Sequence, residues 1–296
     1  MSMPDFDFVE PTSVEEACVL LAEDPVGSVV FAGGTDLLVD LKARTKSLRR
    51  LVSLGRIEGL RGIEITSSGG LTIGAMTTVN EIARDEGVRA RFPGINDAAR
   101  SLAAEQVRNQ ATVAGNLCMA VPSADMAPIL LAHVANMRVA SPSGGRDVPL
   151  REFFVGPRQT VLGPGDIVTA IEVPPPKPGA GDASLRQGGR VSLSLPMASA
   201  AAVVVMDGPV CREATVALGA VAPTPIVAAG VGGAVAGGEL DERALLEAGE
   251  RAAAASVPID DIRASREYRL ELVKVLTRRV LQKAAARAQD ELRVES

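Results

Sequence analysis

The sequence predicts a two-domain protein of short strands alternating with capped helices. A chain of 296 residues with 47% hydrophobic side chains is long enough for about two cores. Apolar runs of strand length are repeatedly followed by stretches with helical spacing. The run Pro174-Pro175-Pro176-Lys177-Pro178-Gly179-Ala180-Gly181 reads as a breaker of either element, so the division between domains is placed there.

Thr12 and Glu15 have capping-box spacing, and Val14, Ala17, Cys18 and Leu21 recur on one face, which predicts a first helix packed on a small sheet. Ser28 to Ala32 reads as a strand running into Gly33-Gly34-Thr35-Asp36, with a helix from Leu37 to Arg44. Strands follow near Leu51 to Leu54 and Leu71 to Ala75, and a second capping box, Thr78 with Glu81, opens another helix. Pro93 to Ala104 is helical in pattern. Glu105 to Asn116 is polar and without period, and after Cys118 to Asp125 an apolar helix runs to Ala132. Strands from Val134 to Ser141 and Asp166 to Val173 flank a turn at Pro142-Ser143-Gly144-Gly145. Beyond the break, Met197 to Met206 and Ala214 to Val221 read as strands, and helices of about Asp241 to Ala255 and Ser265 to Gln289 close the chain.

Composition narrows the function. A net charge of -5, with no clustering of lysine and arginine among aromatics, sets nucleic-acid binding aside. Cys18, Cys118 and Cys211 lie too far apart to suggest a zinc site or a disulfide framework. One histidine, one tyrosine and no tryptophan leave little for acid–base chemistry, and neither a catalytic residue nor a metal ligand is assigned. The acidic start MSMPDFDFVE is unlike a secretory leader, and the longest apolar run, Met197 to Met206, is far below a membrane span. A soluble cytoplasmic protein is the expectation.

Two glycine-bearing segments carry the chemistry. FAGGTDLL puts Gly33 and Gly34 between a strand and a helix, so that backbone N–H groups converge on an anion at the positive end of the helix. The same turn is also an ordinary connector with Thr35 or Asp36 as N-cap. Its spacing lacks G-x-G-x-x-G, which argues against a nicotinamide domain. RNQATVAGN, ending at Asn116, offers a second turn of backbone donors and an amide able to meet a polar ring edge or a phosphate oxygen. In PSADMAP, Ser123 reads as a helix cap, while Asp125 is placed to accept from a ring N–H. His133 reads as a satisfied core or surface histidine, and Arg278-Arg279 as a solvated helix face.

FAGGTDLL, IGAMTTVNEI, EQVRNQATVAGN, PSADMAP, PGDIVTAIEVP, VALGAVAPTP and EYRLELVKVLTRR, in this order along nearly the whole chain, resemble the FAD-binding (medium) subunit of the molybdenum hydroxylases of xanthine dehydrogenase and carbon monoxide dehydrogenase type. The resemblance implies an α+β fold of the PCMH type, with two small α/β subdomains, about 1–56 and 57–175, enclosing FAD, and a C-terminal domain, 176–296, of antiparallel sheet plus helices. It implies that Ala32, Gly33, Gly34, Thr35, Asp36 and Leu37 wrap the FAD pyrophosphate. Thr112, Val113, Ala114, Gly115 and Asn116 would form the other half of the clamp. Asp125 would hydrogen-bond the flavin ring, with Val168 packed near it and Arg186 close by, and Ser123 is counted among the cofactor-binding residues. The family pattern T-I-G-G-N has a glycine where this chain has Ala114, a strained substitution if that position needs positive φ.

The resemblance further implies an oxidoreductase complex. A large molybdenum–pterin subunit oxidises substrate, a small subunit with two [2Fe–2S] clusters relays electrons, and this chain passes them through FAD to NAD, a quinone or oxygen. A dimer of heterotrimers is expected. The alternatives are a stand-alone FAD-dependent oxidoreductase acting directly on a small substrate, and a non-catalytic assembly subunit.

Overall fold

The computed structural model describes residues 4–294 apart from Val191. The chain opens with β1 (Asp7–Val9), α1 (Val14–Glu23), β2 (Ser28–Phe31), α2 (Leu37–Lys42) and β3 (Arg50–Ser53), a parallel sheet in the order β1-β3-β2. It continues through β4 (Ile63–Ile65), β5 (Leu71–Gly74), α3 (Val79–Arg84), α4 (Glu86–Arg91), α5 (Pro93–Ser101), α6 (Glu105–Arg108), α7 (Val113–Cys118) and α8 (Ala127–Ala132). Then come β6 (Asn136–Ser141), β7 (Gly144–Pro149), α9 (Leu150–Phe153), the small hairpin of β8 (Phe154–Gly156) and β9 (Gln159–Thr160), and β10 (Ile167–Val173). The second sheet is antiparallel, in the order β4-β5-β10-β6-β7.

The third sheet joins β11 (Ala180–Gly188), β12 (Pro196–Asp207), β13 (Val210–Gly219) and β14 (Ile226–Val227) antiparallel. After α10 (Val231–Val235), β15 (Gly238–Glu239) pairs with β13, α12 (Arg266–Val294) packs on β11 and β12 of this sheet, and α11 (Glu242–Ala254) packs on α12 and α10. The α+β class read from the sequence is the one observed. No described helix is long and apolar enough to cross a membrane.

Local chemistry explains most element starts. Both halves of the Thr78/Glu81 capping box are made. At α1 the box lies one residue later than the sequence suggested: Ser13 Oγ accepts from Glu16 N–H at 3.1 Å, and the Glu16 carboxylate accepts from Thr12 N–H at 2.9 Å. Ser13 and Glu16 have the same spacing as Thr12 and Glu15, so the pattern alone did not choose between them. Helix α2 stops at Lys42 because Arg44 turns to a φ of 57°. The segment from Glu105 to Asn116, expected to be irregular, contains α6 and the start of α7.

Strand β11 was not read from the sequence, and its first two residues, Ala180 and Gly181, were taken into the breaker run. Its small residues are there for packing: a β-carbon on Gly181 would lie 2.2 Å from Ala284 O of α12, so the helix sits directly on the strand's backbone. Strand β7 was missed since Gly144, Gly145, Arg146 and Asp147 are all exposed and leave no apolar alternation.

The main core gathers Ile73, Phe92, Leu117, Met126, Leu130, Phe153 and Ile171 around α8, and reaches Ala201 and Ala217 of the third sheet. Helix α8 therefore packs against both the second sheet's layer and β12 and β13, which fixes the loop before it against the C-terminal sheet. Phe153 is fully buried in this core. Phe153→Ala is expected to lower the unfolding free energy by about 3–5 kcal/mol, read from the urea midpoint of the full-length chain.

Candidate cofactor site

Strand β2 ends in a glycine-bearing bend. Gly34 has a φ of 68°, which glycine adopts without strain. Among the described residues, none of the backbone N–H groups from Ala32 to Leu37 donates to another protein group. Neither Thr35 nor Asp36 caps α2 with its side chain. Ala32, Gly33, Gly34 and Thr35 are half-buried and Asp36 is exposed, so the segment offers a run of unpartnered donors, a set that suits the oxygens of a diphosphate.

The second bend abuts the first. A β-carbon on Gly33 would lie 1.9 Å from Gln110 O and 3.1 Å from Ala111 Cα, so the absent side chain is what lets the two segments touch. Residues on either side of Thr112 are laced to the IGAMTTVNEI segment. Thr78 and Thr112 form an antiparallel bridge, Val79 N–H donates to Ala111 O at 2.8 Å, and Val113 N–H donates to Thr77 O at 3.1 Å. Thr112 Oγ1 then accepts from Gly115 N–H at 3.0 Å and caps α7.

Ala114 sits inside α7 and is not among the positive-φ residues, so the strain feared for alanine in place of glycine does not arise. Its N–H is the one donor at this helix start left without a protein partner among the described residues. Asn116 Oδ1 accepts from Met126 N–H at 3.2 Å, tying α7 to the loop that follows it. Thr112→Val is expected to remove about 1 kcal/mol of helix-capping stability and to lower flavin affinity modestly, checked by thermal unfolding and by flavin titration.

Asp125 lies on the loop before α8. The helix begins at Ala127 with no side-chain cap, so Ser123, expected to cap it, instead occupies a turn three residues upstream. Pro128 in the first turn supplies a pre-set φ in place of that cap. Arg186 crosses from β11 to meet Asp125, with Nη1 at 3.3 Å from Asp125 Oδ1 and both side chains largely buried. The same guanidinium donates to Ser101 O at 2.8 Å and to Ser194 O. Charge and distance make Arg186–Asp125 an ion pair, but its direction is not that of a hydrogen bond, and Asp125 Oδ1 remains a buried acceptor without a donor. Burial raises the Asp125 pKa from 3.8 to about 6, against the pull of Arg186. An orphaned, sealed acceptor fits a ring N–H.

Val168 is buried in the main core, opposite Val139, at a bulge where the β10–β6 register shifts. The structure thus brings together the two bends, and separately joins Asp125 to Arg186. Val168 lies beneath α7 in the packed interior. Sequence reasoning missed Arg158: its N–H donates to Ala120 O at 2.8 Å and its guanidinium to Asp40 at 2.9 Å, linking α2 to the end of α7. No local motif signals it, since Arg158 and Asp40 are 118 residues apart. Two clefts, of about 560 and 340 Å³, are lined by none of the expected site residues.

The family model of an FAD binding domain in molybdopterin dehydrogenase matches residues 4–176, and that of the CO dehydrogenase flavoprotein C-terminal domain matches residues 183–284. The chain is 32% identical over 96% of its length to a xanthine dehydrogenase FAD-binding subunit of Escherichia coli O157:H7, covering 98% of that protein. It is equally 32% identical to the carbon monoxide dehydrogenase medium chain of Afipia carboxidovorans, over 96% of this chain and 98% of that one. Among solved structures, CO dehydrogenase from Oligotropha carboxidovorans matches with a TM-score of 0.92 at 32% identity, covering 97% of this chain and 100% of that one. Quinoline 2-oxidoreductase from Pseudomonas putida 86 matches with a TM-score of 0.90 at 33% identity, over 97% and 99%. With an FAD-binding model over its first 176 residues and relatives aligned end to end, this chain belongs to the FAD-binding medium subunits of the molybdenum hydroxylase family, flavoprotein components of oxidoreductase complexes.

Proposed function

We propose that this chain is the electron-transfer flavoprotein of a three-subunit molybdenum hydroxylase. It would take electrons from [2Fe–2S] clusters of a small subunit, which receives them from a large molybdenum–pterin subunit, and pass them to NAD, a quinone or oxygen. The observation that carries this reading is the row of six free N–H donors from Ala32 to Leu37 pressed against the Gln110–Thr112 segment. That cradle has the chemistry of a diphosphate site, on a chain with a single histidine and a single tyrosine. The relatives' names support the subunit role: a medium chain and an FAD-binding subunit of named dehydrogenases.

In this proposal Ala32, Gly33, Gly34, Thr35, Asp36 and Leu37 bind the diphosphate through main-chain N–H groups. Thr112, Val113, Ala114, Gly115 and Asn116 close the other side, mainly as a wall, with the Ala114 N–H as a further donor. Asp125 accepts from the ring edge, Arg186 holds the carboxylate in place, Ser123 shapes the turn, and Val168 supports α7 from below. FAD, when bound, supplies a carrier that takes electrons singly and releases them in pairs. The residues themselves bind, orient and shield, which requires no proton transfer by a side chain. Residues 1–175 are proposed as the flavin-binding part and 176–296 as its cover. A cytoplasmic dimer of heterotrimers is the proposed setting.

Reconstitution decides the matter. The flavin absorbance of the assembled complex should bleach on adding the large subunit's substrate, and omission of the iron–sulfur subunit should stop the bleaching. Should the isolated, flavin-loaded chain be reduced directly by a small organic substrate, the electron-relay role would be excluded and a stand-alone oxidoreductase favoured.

A further inference from the structure

The only histidine of the chain is built into a site that flavin binding does not use. His133 closes the C-terminal end of α8, the helix whose other end carries the Asp125 loop. It is 8% exposed, and its Nε2 lies 2.7 Å from Asp182 Oδ2 on β11. Asp182 is itself fastened: Oδ1 accepts from Gly94 N–H at 2.9 Å, and its carbonyl accepts from Arg287 at 2.8 Å. The Phe92 ring meets the imidazole edge-on, with centroids 5.6 Å apart. A carboxylate so held accepts the Nε2 proton, and in the neutral ring it leaves the lone pair on Nδ1.

Nδ1 has no partner among the described residues, yet it is not one of the sealed, unpartnered atoms. His133 lines a cleft of about 340 Å³, together with Ala90, Pro93, Pro176, Ala180 and Val203. That volume falls at the small end of ligand sites, which favour seams between domains and combine apolar walls with a few fixed polar groups. Here the seam runs between α4 and α5 on one side and β11 and α12 on the other. The charged side chains that line it are equal in number, Arg91 and Arg287 against Asp182 and Asp290. Arg287 and Lys283 are both engaged by Asp97. An interdomain staple would need only Nε2, whereas the free Nδ1 beside an apolar cleft is suited to reading a ligand.

We propose that this cleft is a second binding site, for a small, neutral, mostly apolar molecule with one hydroxyl or N–H donor, oriented by its hydrogen bond to His133 Nδ1. Asp182 positions the imidazole for that bond. A phenol-sized ring fits within the space beside Val203 and the prolines, and its donor satisfies the nitrogen that the protein leaves free.

The single histidine makes the test direct. Full-length, flavin-loaded protein labelled at histidine should give one set of imidazole ring signals, and titration with phenol should shift them saturably. Benzene, which has no donor, should bind several-fold more weakly. Ala90→Trp places a large ring in the cleft from an exposed position. It should abolish the phenol shift while flavin content and thermal midpoint stay near wild type; if that variant does not fold, the smaller Ala90→Leu, which should weaken binding, decides. The proposal is overturned if phenol causes no saturable shift, if benzene binds as tightly as phenol, or if the shift survives undiminished in the folded Ala90 variant.

Discussion

Gly33→Val is expected to yield a chain that purifies without flavin. The added β-carbon would stand 1.9 Å from a backbone carbonyl, that of Gln110, and no rotamer change can move a carbonyl held by its neighbours. The two bends must separate by roughly 1 Å or more, which a packed contact does not absorb elastically. Losing two hydrogen bonds to a charged diphosphate, each worth about 1.5–3 kcal/mol, would weaken flavin binding by about 10²–10⁴-fold. Val79 N–H to Ala111 O and Val113 N–H to Thr77 O keep the second bend anchored from behind, so the flavin-free chain should remain folded. Flavin stoichiometry from absorbance, alongside circular dichroism, checks this. A folded variant that retains full flavin would show that the contact between the bends is irrelevant to the cofactor.

Asp125→Asn should change the stability of the empty chain and the redox potential of the loaded one. Burial lifts the folded-state pKa to about 6 from 3.8, with Arg186 opposing. Since the folded value is the higher one, stability from this group is full below about 3.8 and is lost as pH rises through about 6. At pH 8 the ionised carboxylate therefore costs the flavin-free chain about 3 kcal/mol relative to its neutral form. Asparagine does not titrate, so the flavin-free variant should gain up to that amount at high pH and lose the pH dependence between 4 and 8. In the loaded protein, removing a negative charge beside the ring favours the electron-rich state, and the midpoint potential should rise by roughly 30 mV or more. Urea melts across pH and a redox titration measure the two effects. If stability follows the wild-type pH profile, Asp125 is not the titrating group.

The sequence disclosed the first bend and the Thr78 box because each rests on neighbours within a few residues, and the α+β class through motifs in family order along nearly the whole chain. It misplaced the α1 cap by one residue, where two equal spacings overlap. It took the first two residues of β11 into the breaker run and left the rest unassigned, because Gly181 exists to admit α12, an element about a hundred residues later. It named Arg186 and Asp125 through resemblance but not their mutual contact, which depends on how β11 crosses the end of α8. Gly33 illustrates the limit well. Its presence in a strand–helix turn suggested an anion facing the missing side chain, whereas that space is filled by Gln110, and the free donors lie along the neighbouring amides. Arg158 carried no legible signal, since its partners are set by tertiary structure alone.

Arg186 is rooted in the C-terminal sheet, fastened by the carbonyls of Ser101 and Ser194, and ends beside a carboxylate of the other half of the chain. The halves thus share one electrostatic setting. A shift of the C-terminal sheet would carry the guanidinium with it and so alter the charge felt at that carboxylate without anything entering its surroundings.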